Sequence, residues 1–209
     1  MKKIEELFQP IMEQLSKMSI EDKINTINQI KKWLHQYSPF ADEPIDCVLW
    51  VKAQKIQANE YNPNAMAPIE KRLLSTSLNQ DGFTQPIVVY AHNNRYTIVD
   101  GFHRYMLGKG KKSINTRLKN YLPITCIKDT QKEKPDRIAA TIRHNRARGK
   151  HQIMAMSDIV QDLARLGWED KKIAKELGMD LDEVLRLKQI SGLAEMFEGD
   201  AFSEAWTVR

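Results

Sequence analysis

Residues 86–107 constrain the fold more than any other stretch. Pro86-Ile87-Val88-Val89-Tyr90 and Arg95-Tyr96-Thr97-Ile98-Val99 are two β-branched runs on either side of His92-Asn93-Asn94, which predicts a β-hairpin. The second run then meets Gly101, and the pattern changes from the period of a strand to that of a helix through Tyr105, Met106 and Leu107. A strand that turns into a helix at a glycine leaves the first N–H groups of the helix aimed beyond the strand end. The positive end of the helix dipole reinforces them, and the result is an anion site. His103 and Arg104 fall in that first turn, where the dipole alone would favour an acid. Cations there suit a bound phosphate.

The remaining elements assemble around this hairpin. Residues 3–17 carry Ile4, Leu7, Phe8, Ile11, Met12 and Leu15 at helical spacing, and Ser19-Ile20-Glu21-Asp22 reads as a cap opening a second amphipathic helix up to Ser38-Pro39. Residues 39–46, with two prolines and three acids, read as a linker. Val48-Leu49-Trp50-Val51 has the length of a strand, Asn59-Glu60-Tyr61-Asn62-Pro63-Asn64 is a turn cluster, and residues 68–79 suit a short helix. Gly108-Lys109-Gly110-Lys111-Lys112 reads as a basic loop, followed by a strand over Leu122–Ile127. From Pro135 onward the periodicity is helical throughout, in segments 135–148, 153–166, 169–177 and 180–190. The last two, joined through Leu177-Gly178-Met179, make a helix-turn-helix. The expected fold class is α+β. The expected divisions are a helical hairpin over 1–38, a mixed α/β domain over 46–130, a helical subdomain over 135–193 and a tail over 194–209.

Charge narrows the partner. The formal net charge is +5, but residues 101–152 hold 14 Lys+Arg against 3 Asp+Glu, a local +11 in an otherwise acidic chain. A basic middle of this kind points to a polyanion, either nucleotide or nucleic acid. No apolar run reaches the roughly 20 residues of a membrane span, and the acidic start Met1–Glu6 does not read as a secretory signal. Cys47 and Cys126 stand far apart with no metal-ligand spacing, which suits reduced thiols in a cytoplasmic protein.

Four short boxes, in order over about 150 residues, then give a specific resemblance. They are the Pro/Asn turn 59–64, Gly82-Phe83-Thr84-Gln85-Pro86-Ile87-Val88-Val89, Gly101-Phe102-His103-Arg104, and His144-Asn145-Arg146-Ala147-Arg148, with the helix-turn-helix next in the chain. Together they resemble the ParB/sulfiredoxin superfamily in its ParB-like arrangement, and within it the short bacterial proteins of the immunoglobulin-binding regulator B type. The resemblance implies a nucleotide-binding domain acting with DNA, in a transcriptional regulator. It implies a nucleoside triphosphate, CTP or ATP, held by Gly101 through backbone approach, by the fork of Arg104, and by Gln85 and Arg148. It implies Mg²⁺ assisted by Asn145. Where the family has a glutamate, this chain has His144, which removes a carboxylate from the metal's surroundings and weighs against hydrolysis. Phe102 stands where sulfiredoxins carry their cysteine, so that chemistry is excluded. The chain ends soon after the helix-turn-helix, so the expectation is a regulator rather than a partition clamp, with the N-terminal helices available for self-association.

Two alternatives stay open. Asp100-Gly101-Phe102-His103-Arg104 also matches the D-G-x-H-R motif of free-serine kinases of this fold, in which Glu60 would be the base and Asp100 and His103 part of the phosphate site. An NTPase or nuclease of the same fold belongs with that enzyme reading. For DNA, the second helix of the helix-turn-helix starts Asp180-Leu181-Asp182-Glu183, and residues 157–190 hold 6 Lys+Arg against 8 Asp+Glu. Phosphate contacts would therefore fall to Lys171, Lys172 and Lys175, and to Arg143, Arg146 and Lys150 upstream. The other reading is a helical subdomain that keeps the fold with weakened DNA binding.

Overall fold

The computed structural model describes residues 2–59, 66–93, 95–128, 134–146 and 153–196, without the side chains of 2–3, 134, 137, 144–146, 153–155 and 191–196. Two compact units emerge. The first contains α1 (Lys2–Lys17), α2 (Ile20–His35), β1 (Leu49–Lys52), β2 (Ile56–Gln57) and α3 (Pro68–Gln80). It continues through β3 (Ile87–His92), β4 (Arg95–Asp100), α4 (Phe102–Gly110), α5 (Lys112–Arg117) and β5 (Tyr121–Cys126). The second is built on α6 (Lys134–Arg146), α7 (Ile153–Arg165), α8 (Asp170–Leu177) and α9 (Leu181–Met196). The α+β class expected from the periodicities is the class observed. Among the described residues no helix is long and apolar enough to cross a membrane.

The five strands form one mixed sheet in the order β1-β5-β3-β4-β2. The hairpin β3–β4 is antiparallel, β5 lies parallel to β3, and β1 closes one edge antiparallel to β5. Leu49, Val51, Ile87, Val89, Ile98, Leu122 and Ile124 alternate onto one buried face, where Tyr105 of α4 joins them. A second cluster of Leu78, Leu107 and Ile114 fastens α3, α4 and α5 to one another. The hairpin register slips once: Val88 faces Asp100 while Val89 faces Ile98, so Val99 is an extra residue in β4. Such a bulge bends the strand and re-aims the next residue. Here that residue is Asp100.

Three local expectations are corrected. Residues 39–46 are not a plain linker: Pro44–Asp46 forms a single 3-10 turn, the Thr125 hydroxyl donates to the Pro44 carbonyl, and His35 Nδ1 meets Asp46 Oδ2 at 2.6 Å. Nor is 108–112 a loop, because α4 runs through both glycines to Gly110 and α5 starts at Lys112. Gly108 is there for packing. A Cβ on it would come within 2.6 Å of Leu122 Cδ2 and 2.9 Å of Phe83 Cζ, so a side chain there would force one of them to shift. The short strand β2, paired parallel to β4, also went unanticipated.

The helical hairpin is fastened to the sheet edge by polar bonds. Asn28 exchanges two hydrogen bonds with the backbone of Trp50, donating to its carbonyl at 2.6 Å and accepting from its amide at 3.0 Å. Lys31 Nζ donates to the Val48 carbonyl at 2.9 Å. These contacts occupy backbone groups that β1, as an edge strand, would otherwise offer to another chain. No residue of α2 is buried.

In the second unit Ile142, Val160, Leu163, Ile173, Leu177 and Val184 form a core of their own. Helix α8 ends at Gly178, whose φ of +63° is left-handed, and the Met179 amide reaches back to the Ala174 carbonyl at 2.9 Å. That is a Schellman-type stop, which turns the chain sharply into α9.

Candidate phosphate-binding site

The site is built where β4 becomes α4. Asp100 is the last residue of the strand and Gly101, at φ +90°, is the N-cap of the helix. A left-handed φ excludes most side chains, and here a second constraint coincides with it. A Cβ on Gly101 would lie 2.9 Å from Arg104 Nη2 and 3.1 Å from its Nε. The guanidinium of Arg104 thus turns its Nε–Nη2 edge to the glycine, one turn into α4. The first intrahelical bond runs from the Tyr105 amide to the Gly101 carbonyl at 2.9 Å, so the amides of Phe102, His103 and Arg104 precede it at the positive end of the dipole.

Two side chains position the guanidinium. Arg104 Nη1 donates to Gln85 Oε1, and Nη2 lies 3.5 Å from Asp100 Oδ2. Asp100 works in two directions, because its Oδ1 accepts from the Gly101 amide at 2.7 Å. Its carboxylate therefore holds both the turn and the arginine. The side chains of Arg104 and Asp100 are only 13% and 10% exposed, so this ion pair is far less screened than a surface one. Asn59 completes the surroundings by donating to the Ile98 carbonyl at 2.7 Å.

His103 faces differently. Its ring meets Phe102 edge-on, with centroids 5.5 Å apart, and Phe102 itself packs on the sheet core. Burial pushes the imidazole below its ordinary range, with Glu70 of α3 pulling it up and Lys71 pushing it further down. At neutral pH it is an uncharged ring that can donate or accept, not a cation.

The structure thus brings together Gln85, Asp100, Gly101 and Arg104, with His103 in the same first turn of α4 but packed against Phe102. Glu60, Arg148 and Lys150 lie outside the described residues. Asn145 and Arg146 belong to α6, but their side chains are not among those described. Arg143 is engaged within its own unit, paired with Glu176 of α8. Lys171, Lys172 and Lys175 are all exposed on α8, with Lys172 Nζ over the Trp168 ring at 4.1 Å. Acids Asp182 and Glu183 occupy the first turn of α9, where they complement its dipole. Among the described residues no group of three or more His, Cys, Asp or Glu side chains converges to hold a metal ion, and Asn145, the residue expected to assist Mg²⁺, has its side chain outside those described.

Gln85, Asp100, Gly101, His103 and Arg104 are the sequence-named residues that the structure places at or beside this turn. Sequence reading did not find the bulge at Val99 or the contact of Arg104 with the glycine, since neither leaves a local signal.

Similarity to known proteins respects the same division of the chain. The ParB N-terminal domain family matches residues 41–121, and the IbrB-like C-terminal HTH domain family matches residues 151–199. The Escherichia coli (strain K12) protein described as "Uncharacterized protein YbdM" is 57% identical over 204 residues, covering 97% of this chain and 96% of that one. Among solved structures, C-terminally truncated ParB from Caulobacter crescentus complexed with CTP-gamma-S is 17% identical, with a TM-score of 0.38 over 72% of this chain and 86% of that one. The same protein complexed to the centromeric parS site gives 17% identity and a TM-score of 0.45 over 71% and 75%.

Proposed function

Because the chain belongs to the ParB-like proteins of the IbrB type, we propose that it is a cytoplasmic, nucleotide-binding, DNA-associated regulator of transcription. The nucleotide is a triphosphate, CTP or ATP, received at the Asp100–Arg104 turn. The observation that supports this most is the arrangement of Arg104: a guanidinium held by Gln85 and Asp100 with its Nε–Nη2 edge against Gly101, at the N-terminus of α4. A planar fork fixed beforehand in that position can donate parallel hydrogen bonds to a phosphate, and the helix amides supply further donors. Asn145 and Arg148 are proposed as further nucleotide-binding residues. No step is assigned to Mg²⁺.

The site is read as binding rather than catalysing. Wild-type protein incubated with CTP or ATP should release no phosphate and transfer none. Turnover that disappears in Glu60→Gln would overturn this and favour the kinase reading. DNA association rests on the helix-turn-helix and on Arg143, Arg146, Lys150, Lys171, Lys172 and Lys175. A salt-sensitive mobility shift should be lost when Arg146 and Arg148 are neutralised together.

We also propose self-association through α1. Ile4, Leu7, Phe8, Ile11 and Met12 all remain exposed on it, and a helix-turn-helix protein that pairs can read two half-sites at once. Light scattering should report a dimer for the wild type and a monomer for Leu7→Glu/Phe8→Glu. A monomeric wild type at micromolar concentration would contradict this.

A further inference from the structure

Residues 101–128 contain seven Lys+Arg and no Asp or Glu. The fold uses some of these cations internally. Arg104 turns to Asp100, and Arg117 donates to the carbonyls of Leu78 and Asn79, which fastens α5 to the end of α3. Lys109, Lys111 and Lys119 are exposed instead. Among the described residues none of the three has a carboxylate within ion-pair distance.

The three are ordered by neutral oxygens. Lys109 Nζ donates to the Tyr105 hydroxyl at 2.7 Å, and that hydroxyl donates onward to the Ile56 carbonyl at 3.1 Å. Lys111 Nζ donates to the Ser75 hydroxyl. A hydroxyl positions an ammonium without cancelling its charge. Lys119 is placed by its backbone. Lys119 and Asn120 have φ of +52° and +64°, successive left-handed residues with no glycine, and the Ala53 amide holds the turn through the Asn120 carbonyl at 2.8 Å. Asparagine adopts that region more readily than lysine does. A turn in which glycine would be less strained presents a lysine.

Two open grooves collect these cations. One, of about 860 Å³, is lined by Lys52, Lys109 and Lys119 together with Asn115 and Asn120. The other, of about 570 Å³, is lined by Lys71, Arg72 and Lys111. The last turn of α4 and its cap contribute to both, Lys109 to the first and Gly110 and Lys111 to the second. The only carboxylate among the described residues lining either groove is Glu21, and it is bonded to Lys52 Nζ at 2.6 Å.

We propose that this basic strip around the end of α4 contacts the phosphodiester backbone of duplex DNA, a role additional to those proposed for the phosphate box and the helix-turn-helix. The inference rests on the DNA-associated reading above and adds a surface to it. A single small anion would engage one groove, whereas cations spread over two open grooves match a repeating row of phosphates. The strip also supplies basic contacts that residues 157–190, with 8 acids against 6 Lys+Arg, largely lack.

The test is a fluorescence-anisotropy titration of a labelled mixed-sequence duplex over a salt series, with the full chain and with Lys109→Gln/Lys111→Gln/Lys119→Gln. The triple variant should bind more weakly at every salt concentration. Its log–log salt dependence should be shallower by about 0.9 for each lost phosphate contact. Wild-type binding matched by the variant in affinity and slope overturns the strip but leaves the DNA reading standing. Wild-type protein that binds no duplex at low salt overturns both. Lys119→Gly separates charge from folding, because it relieves the left-handed backbone. Its melting temperature should equal or exceed that of the wild type while DNA affinity falls, and undiminished affinity would overturn the role given to Lys119. Displacement of the duplex by single-stranded RNA at lower concentration than by unlabelled duplex would overturn the choice of DNA.

Discussion

At the scale of single residues, Asp100 carries opposing duties. Its carboxylate holds the Gly101 amide and restrains Arg104, yet it adds negative charge where a phosphate is proposed to bind. Asp100→Asn keeps an oxygen for the Gly101 amide while removing the charge. The expected result is tighter nucleotide binding, by about 1 kcal/mol or roughly fivefold, measured by calorimetry. Weaker binding would mean that positioning Arg104 outweighs repulsion. His103 gives a pH signature. Its folded pKa lies below its unfolded one, so above the unfolded value both states are neutral and the group contributes nothing to pH dependence. As pH falls through about 6.5 the unfolded chain takes up a proton that the folded protein refuses, and stability drops. Melting temperatures between pH 7.5 and 5 should therefore fall less steeply in His103→Gln than in the wild type. Parallel curves would place the titration elsewhere.

At the scale of elements, what the sequence reveals depends on whether a signal is local. The β3–β4 hairpin, the strand-to-helix turn at Gly101 and the helix-turn-helix were legible because each combines periodicity with a turn residue at the right place. Helix α5 was not, since six residues with Ile114 as their one buried apolar side chain show no period. Strand β2, at two residues, is defined only by its partner β4. Pro44–Asp46 looked like a linker because its anchors, Thr125 and His35, are remote in sequence. Gly108 was misread for a related reason. Glycine in a polar run signals a break, whereas here it admits Leu122 and Phe83 against the helix. Gly108→Ala would normally favour a helix, yet it should destabilise this protein by about 1–3 kcal/mol through overpacking. Denaturant unfolding measures this directly, and an unchanged or raised midpoint would show that the contact relaxes freely.

At the scale of the whole molecule, a mixed α/β unit presents a glycine-turn arginine, and a separate helical unit carries a helix-turn-helix with few basic residues. The ParB-like organisation was legible because four boxes keep their order, and Phe102 and His144 were legible as departures from it. The roles proposed for Asn145 and Arg148 rest on resemblance alone, since no local pattern links them to Arg104, some 40 positions away. The central proposal is that the Asp100–Arg104 turn binds a nucleoside triphosphate. Thermal unfolding of the full chain with CTP, ATP, ADP and GTP, with and without Mg²⁺, beside Arg104→Ala, tests it most directly. Binding to the native state adds about 2.7 kcal/mol of apparent stability at a hundredfold excess over Kd. A triphosphate should raise the wild-type Tm in a concentration-dependent way and leave that of Arg104→Ala unmoved. No shift with any triphosphate, or an equal shift in both proteins, would contradict it.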